Sequence, residues 1–295
     1  MQPQDLIRTV KRLEITTRRA VDDRLAGQYH SVFKGRGMAF DEVRPYQPGD
    51  DVRAIDWNVS ARMNDTYVKV FSEERELTVM ILVDLSASVG FGSAAKSKAE
   101  VAAELAALLA FSAVKNNDRV GLILFTDQVE RFVPPKRGRK HVLRIISQIL
   151  LHQPAHRRTS LEPPLTLLRR GLHRRAISFL VSDFLAPLEG YQTPLTLASR
   201  RHDLVPLVLR DPLEDVLPEM GLLAVEDPES GELGYIDTRL KSVRDAYVKE
   251  LKRRDGLRDK HFARLGLDAV HLRTGDDYVK PLVAFFRRRE GRRAA

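Results

Sequence analysis

The 295-residue chain contains no cysteine. That absence excludes a disulfide scaffold, a thiolate zinc site, an iron–sulfur cluster and a cysteine nucleophile together. Long hydrophobic runs are also missing. The longest, Leu105 to Val114, spans ten residues and is broken by Ser112, whereas a bilayer-spanning helix needs about 20. The opening Met1-Gln-Pro-Gln-Asp-Leu-Ile-Arg8 has no apolar core of a secretory signal. A soluble, cytoplasmic protein is therefore expected. No G-x-x-x-x-G-K-S/T, H-E-x-x-H or G-x-S-x-G motif occurs, which removes the commonest nucleotide, zinc-protease and serine-hydrolase signatures.

Charge is plentiful. Lys and Arg number 49 against 40 Asp and Glu, a net charge of +9. The excess is regional. Residues 131–175 hold twelve basic side chains and one acid, Glu162, and the tail from Arg287 adds five Arg against Glu290. The rest of the chain is slightly acidic. Such a window is most often a solvated surface. Read functionally, it suits an acidic protein partner, with Arg137, Arg139, Lys140, Arg157 and Arg158 as the candidate contacts. Nucleic acid is the alternative, but the window carries one aromatic, Phe132, so base stacking has little to work with.

The hydrophobic pattern reads as two regions. Over 1–76, Leu6, Val10 and Leu13 recur at helical spacing within 5–26. Residues 30–66, rich in Gly, Pro and charge, read as loop, and Tyr67–Phe71 alternates like a strand. This extension is expected to pack on a main domain over 77–290. There, unbroken apolar runs at 77–83, 120–125, 176–182 and 204–209 read as strands covered on both faces. Helical patterns at 94–115, 139–151, 161–173, 191–201, 240–254 and 277–289 alternate with them. A short strand falls near 268–272, and 222–237, turning at Asp227-Pro-Glu-Ser-Gly, reads as an edge hairpin. The expected fold is α/β, a doubly wound and mostly parallel sheet.

Ligands of such sheets bind beyond the carboxyl ends of the strands. The first buried strand ends in Asp84-Leu-Ser86-Ala-Ser88, the second in Thr126-Asp127, the third in Asp183, and Thr159 and Ser160 precede a helix. Carboxylates and hydroxyls without Cys or His form an all-oxygen set, suited to Mg²⁺ or Mn²⁺. The plain alternative for Asp84, Ser86 and Ser88 is helix capping. Gly90-Phe-Gly92-Ser-Ala-Ala95 fits a dinucleotide pattern formally, but it starts six residues past Asp84, too far from the strand end. His152 and His156 are separated by Pro154, which breaks the helix that would align them.

Asp84-x-Ser86-x-Ser88, Thr159 and Asp183, in this order, resemble the metal-ion-dependent adhesion site of von Willebrand factor A domains. The resemblance implies Ser86 and Ser88 as direct ligands, and Thr159 as a direct or water-mediated one, with Ser160 as the neighbouring alternative. Asp84 and Asp183 would act mainly through water, and a partner's acid would complete the coordination. A second block, Gly37-Met-Ala-Phe40-Asp41-Glu42-Val-Arg44-Pro-Tyr46-Gln-Pro48-Gly49-Asp50-Asp51-Val-Arg53-Ala-Ile-Asp56-Trp57-Asn-Val-Ser60-Ala61-Arg62, closely resembles the hallmark of bacterial domain-of-unknown-function family fifty-eight. Its acids and Arg44, Arg53 and Arg62 are expected to make structural ion pairs around Tyr46 and Trp57 rather than to catalyse. Members of that family commonly accompany MoxR-type AAA+ ATPases. The resemblance therefore implies a non-enzymatic, metal-dependent protein-binding adaptor of such an ATPase, acting in protein assembly or maturation.

Overall fold

A computed structural model describes Glu14, Tyr29 and residues 39–63, 65–72 and 77–294. The helix expected over 5–26 lies outside the described residues apart from Glu14. The chain divides into two compact units, Phe33–Leu77 and the remainder, Met1–Val32 with Thr78–Ala295. The expected grouping placed all of 1–76 together. Instead Tyr29 and Glu14 belong with the larger unit: the Tyr29 ring packs edge-on against Phe286 at 5.9 Å, and Glu14 pairs with Arg139.

The smaller unit is not the loop its Gly and Pro content suggested. Strand β1 (Ala39–Pro45) pairs antiparallel with β2 (Tyr67–Ser72), with a bulge between Phe40 and Glu42. A short helix α1 (Trp57–Met63) lies between them in sequence. The acids of this unit bind Arg44 and the backbone. Asp50 takes both ends of the Arg44 guanidinium at 2.8 and 2.6 Å, Asp51 accepts from Arg53 N, and Asp56 accepts from Asn58 N and Val59 N. Of the ion pairs expected of Arg44, Arg53 and Arg62, that of Arg44 with Asp50 forms; Arg53 contributes its backbone N–H instead, and Trp57 is 71% exposed.

The larger unit is built on a six-stranded sheet. Its strands are β3 (Thr78–Asp84), β4 (Arg119–Phe125), β5 (Val129–Lys136), β6 (Ile177–Ser182), β7 (Asp203–Arg210) and β10 (Val270–Arg273). Their spatial order is β10-β7-β6-β3-β4-β5, all neighbours parallel except β4–β5. Val79–Val83 and Phe179–Val181 are completely buried, as unbroken apolar runs require when helices cover both faces. Hairpin β8 (Leu222–Glu226) and β9 (Leu233–Asp237) is a separate two-stranded sheet, not an edge of the main one.

Helices α2 (Lys98–Lys115), α3 (Arg139–Leu151), α4 (Glu162–Gly171), α5 (Leu188–Arg201), the single turn α6 (Pro212–Asp215), α7 (Lys241–Arg264) and α8 (Val279–Ala294) complete the unit. Helix α2 starts at a full capping box, Ser97 with Glu100. On one face of the sheet, Met80, Leu82, Ile123, Phe125 and Leu180 meet Leu165 and Leu168 of α4, Tyr191 and Leu195 of α5 and Phe262 of α7. Helix α7 runs ten residues past its expected end, through Gly256, because Phe262 docks into this core. No helix among the described residues is long and apolar enough to cross a membrane.

His202, which caps α5, is fully buried at the opposite end of β6 from Asp183, and its Nδ1 accepts from Ala176 N at 3.2 Å. Burial, then the nearby Arg201 charge, lowers its pKa from 6.5 to about 4. The fold thus holds the neutral ring. Its stabilising contribution is complete above 6.5 and is lost as pH falls toward 4, by roughly 2–3 kcal/mol. Urea midpoints measured across this range should fall for the wild type and flatten for His202→Gln.

Candidate functional site

Connections run outward in both directions from the β3–β6 pair, so the switch point of the sheet lies between the carboxyl ends of β3 and β6. Asp84 ends β3, Ser182 ends β6 and Asp183 follows. Asp84, Ser86, Ser88, Ser182 and Asp183 are all buried there. Asp84 Oδ1 accepts from Ser86 N at 2.9 Å, and Oδ2 from Ser182 Oγ at 2.6 Å. The hydroxyls of Ser86 and Ser88 lie 3.1 Å apart. Burial, followed by the charge of Asp183, pushes the Asp84 carboxyl up to about 7.

The loop bearing Thr159 is tied to this one: Ala87 N donates to Arg157 O at 2.9 Å. Glu130 holds the same loop from below. It accepts from Ala155 N and His156 N at 3.2 Å and from Thr126 Oγ1 at 2.9 Å, and meets His152 Nε2 at 3.3 Å. The two histidines therefore serve the loop. Ser160 is fixed through its backbone to Thr126 O. Thr159 instead offers both its N–H and its hydroxyl to the carboxylate of Glu229.

Sequence reasoning missed four residues here. Lys98, the first residue of α2, is fully buried, and its Nζ donates to Asp183 Oδ2 at 2.8 Å and to Glu214 Oε1 at 2.5 Å. Burial pulls the ammonium down, but Asp183 and Glu214 outweigh it and hold it above its usual value. Glu214 is presented by the capping box of α6, whose Asp211 accepts from Ser93 N and Thr274 Oγ1. Ser182 and Glu229 are the others. The signals in the sequence are weak: the Ser97-x-x-Glu100 and Asp211-x-x-Glu214 patterns have the form of helix starts, not of a site.

Gly92 owes its place to the same loop. A Cβ there would come within 2.5 Å of Ser97 Cα, so the glycine lets the chain fold back onto the α2 cap. That accounts for Gly92 in the dinucleotide-like pattern with no phosphate.

The five basic residues expected to form one partner surface do not come together. Strand β5 runs antiparallel, and Lys136 pairs with Val120 at the start of β4. Arg137, Arg139 and Lys140 therefore sit at the edge of the sheet opposite Asp84. Arg157 and Arg158, exposed, are at the site edge. Arg174 and Arg175 precede β6, again at the far edge. The basic residues named here thus divide between the two ends of the sheet.

The residues present suit a hard cation. Asp183 and Glu214 share the ammonium of Lys98, Asp84 lies buried beside Asp183, and two neighbouring hydroxyls supply neutral oxygens. Among the described residues no group of three His, Cys, Asp or Glu could hold a metal, so any ion here would depend on the hydroxyls.

Strand order, switch-point site and D-x-S-x-S loop define a doubly wound α/β domain of the von Willebrand factor A-like class. The chain belongs to the family described as Protein of unknown function DUF58, which it matches over residues 42–256. It is 31% identical over 283 residues to Uncharacterized protein Rv1480 of Mycobacterium tuberculosis, covering 95% of this chain and 88% of that protein. Uncharacterized protein YeaD of Bacillus subtilis is 28% identical over 109 residues, 37% of this chain and 25% of that protein. Among solved structures, it is similar to the conserved hypothetical protein BatB from Bacteroides thetaiotaomicron, with 15% identity and a TM-score of 0.47 over 73% of this chain and 99% of that one. The SpRpn10 VWA domain follows a similar course, with 12% identity and a TM-score of 0.40 over 71% and 94%.

Proposed function

We propose that this protein is a non-enzymatic, metal-dependent protein-docking module. The observation that carries the reading is the convergence of Asp84, Ser86, Ser88 and Asp183 at the switch point, with the Thr159 loop bonded to the same turn. Asp84, Ser86, Ser88, Thr159 and Asp183 would hold Mg²⁺ or Mn²⁺, which would supply an electrophilic centre for a partner's Asp or Glu. Serine and threonine oxygens are neutral, so they leave that centre uncompensated. Arg157 and Arg158 beside it favour an acidic partner.

Docking is favoured over hydrolysis because both carboxylates already serve other groups. Asp84 accepts from Ser86 N and Ser182 Oγ, and Asp183 accepts from Lys98 and from Leu185 N. The family resemblance points to a MoxR-type AAA+ ATPase as the partner.

Mn²⁺ titration followed by electron paramagnetic resonance tests the site. Wild type should bind about one ion, and Asp84→Ala should lose it while keeping its circular dichroism. Co-elution with a purified MoxR-type ATPase should need Mg²⁺ and fail in EDTA and in Asp84→Ala. Equal Mn²⁺ binding by both proteins removes the metal from the reading. Metal binding without co-elution removes that ATPase as the partner.

A further inference from the structure

The β8–β9 hairpin stands apart from the main sheet. Leu222, Leu233 and Tyr235 on its outward face are 63–75% exposed, and an isolated two-stranded hairpin is marginally stable. Yet its turn is built with care. Asp227 accepts from Glu229 N at 2.9 Å and from Ser230 Oγ at 2.8 Å, Gly231 N donates to Asp227 O, and Gly231 takes a left-handed φ of 75°. Of the two other acids within 227–232, Glu232 is exposed and Glu229 is partly buried. Its two oxygens take the N–H and hydroxyl of Thr159. Asp227, behind it, also feels the charge of Arg158, after its bonds within the turn.

A carboxylate on a surface turn, delivered to the hydroxyl of a candidate metal-site residue beside exposed arginines, is the chemistry expected of an outside partner. Here the chain supplies it to itself. We propose that Glu229 is an internal acidic ligand of the adhesion site, and that the β8–β9 hairpin is a displaceable plug occupying the place of a partner's Asp or Glu. The inference rests on the docking reading above and deepens it. A partner segment must bring a carboxylate that competes with Glu229, and binding must release the hairpin from Thr159.

The test uses the full chain, with Mn²⁺ and Mg²⁺ as probes. Mn²⁺ affinity is measured by electron paramagnetic resonance for wild type, Glu229→Gln and Asp84→Ala. Hydrogen exchange of residues 222–237 is followed in Mg²⁺ and in EDTA. Glu229→Gln keeps the shape and an acceptor for Thr159 N, so it removes charge with little else. The expected results are a Mn²⁺ affinity at least tenfold weaker in Glu229→Gln, and slower exchange of the wild-type hairpin in Mg²⁺, an effect absent in the variant. If wild type binds Mn²⁺ but Glu229→Gln binds it equally well, or Mg²⁺ leaves hairpin exchange unchanged or faster, Glu229 is not a ligand and the inference falls while the docking reading stands. If wild type binds no Mn²⁺, both fall.

Discussion

Lys98→Ala is expected to destabilise the metal-free protein by about 3–5 kcal/mol, the cost of removing one partner from a buried ion pair. The side chains of Lys98 and Asp183 are 0% and 1% exposed, and Glu214 lies 2.5 Å from the same ammonium. Without it, Asp84, Asp183 and Glu214 crowd one end of the sheet with no cation between them. Thermal denaturation in EDTA should show a Tm lower by on the order of 10 °C. Lys98→Met, which keeps most of the stem volume and drops the charge, should lose nearly as much, separating charge from packing. Saturating Mg²⁺ should recover more stability in either variant than in wild type, because the excess of carboxylates is then larger. A loss below about 1 kcal/mol in both variants would show that the buried carboxylates do without the ammonium.

Lys98 also marks where reading the sequence stops. The buried strands were legible because an unbroken, strand-length run such as Val79–Val83 fits a strand covered on both faces. Asp84, Ser86 and Ser88 were legible because they are local, three residues within five at a strand end. The position of Asp183 followed once β6 was recognised. Partners far apart in sequence were not legible. Lys98 meets Asp183 across 85 residues and Glu214 across 116, and Thr159 meets Glu229 across 70. A lysine in the first turn of a helix reads as solvated, since charge is rarely buried without a partner, and the partner here lies in a different turn.

Strand β5 escaped for another reason. Pro134 and Pro135 argue against a strand, but an edge strand pairs on one side only and tolerates them. Its antiparallel course is what carries Arg137, Arg139 and Lys140 away from Asp84, so one missed strand split the expected basic surface. In the signature block, Gly and Pro density hid β1, whose pairing with β2 is set by residues more than twenty positions on.

Phe184→Ala is expected to cost about 3–5 kcal/mol as well, the usual loss for a buried phenylalanine. Phe184 is 1% exposed, with its ring edge-on to Tyr191 at 6.1 Å and to Phe262 at 5.4 Å. It also holds a left-handed φ of 53°, a conformation that costs a non-glycine residue roughly 1–2 kcal/mol. That twist lets Phe184 N reach Ser182 Oγ at 3.1 Å and Leu185 N reach Asp183 Oδ1 at 3.2 Å. The ring anchored in the core thus stabilises the turn that presents both site residues. The strain makes a distinctive ordering. Alanine loses the ring and keeps the strain, whereas glycine loses the ring and relieves it. Phe184→Gly should therefore be no less stable than Phe184→Ala in urea denaturation, although glycine normally costs more through the unfolded chain. Phe184→Leu, which refills most of the volume, should fall between wild type and both. If Phe184→Gly is clearly the weaker of the two truncations, the left-handed turn carries no strain. The geometry of Ser182 and Asp183 then depends on the ring alone.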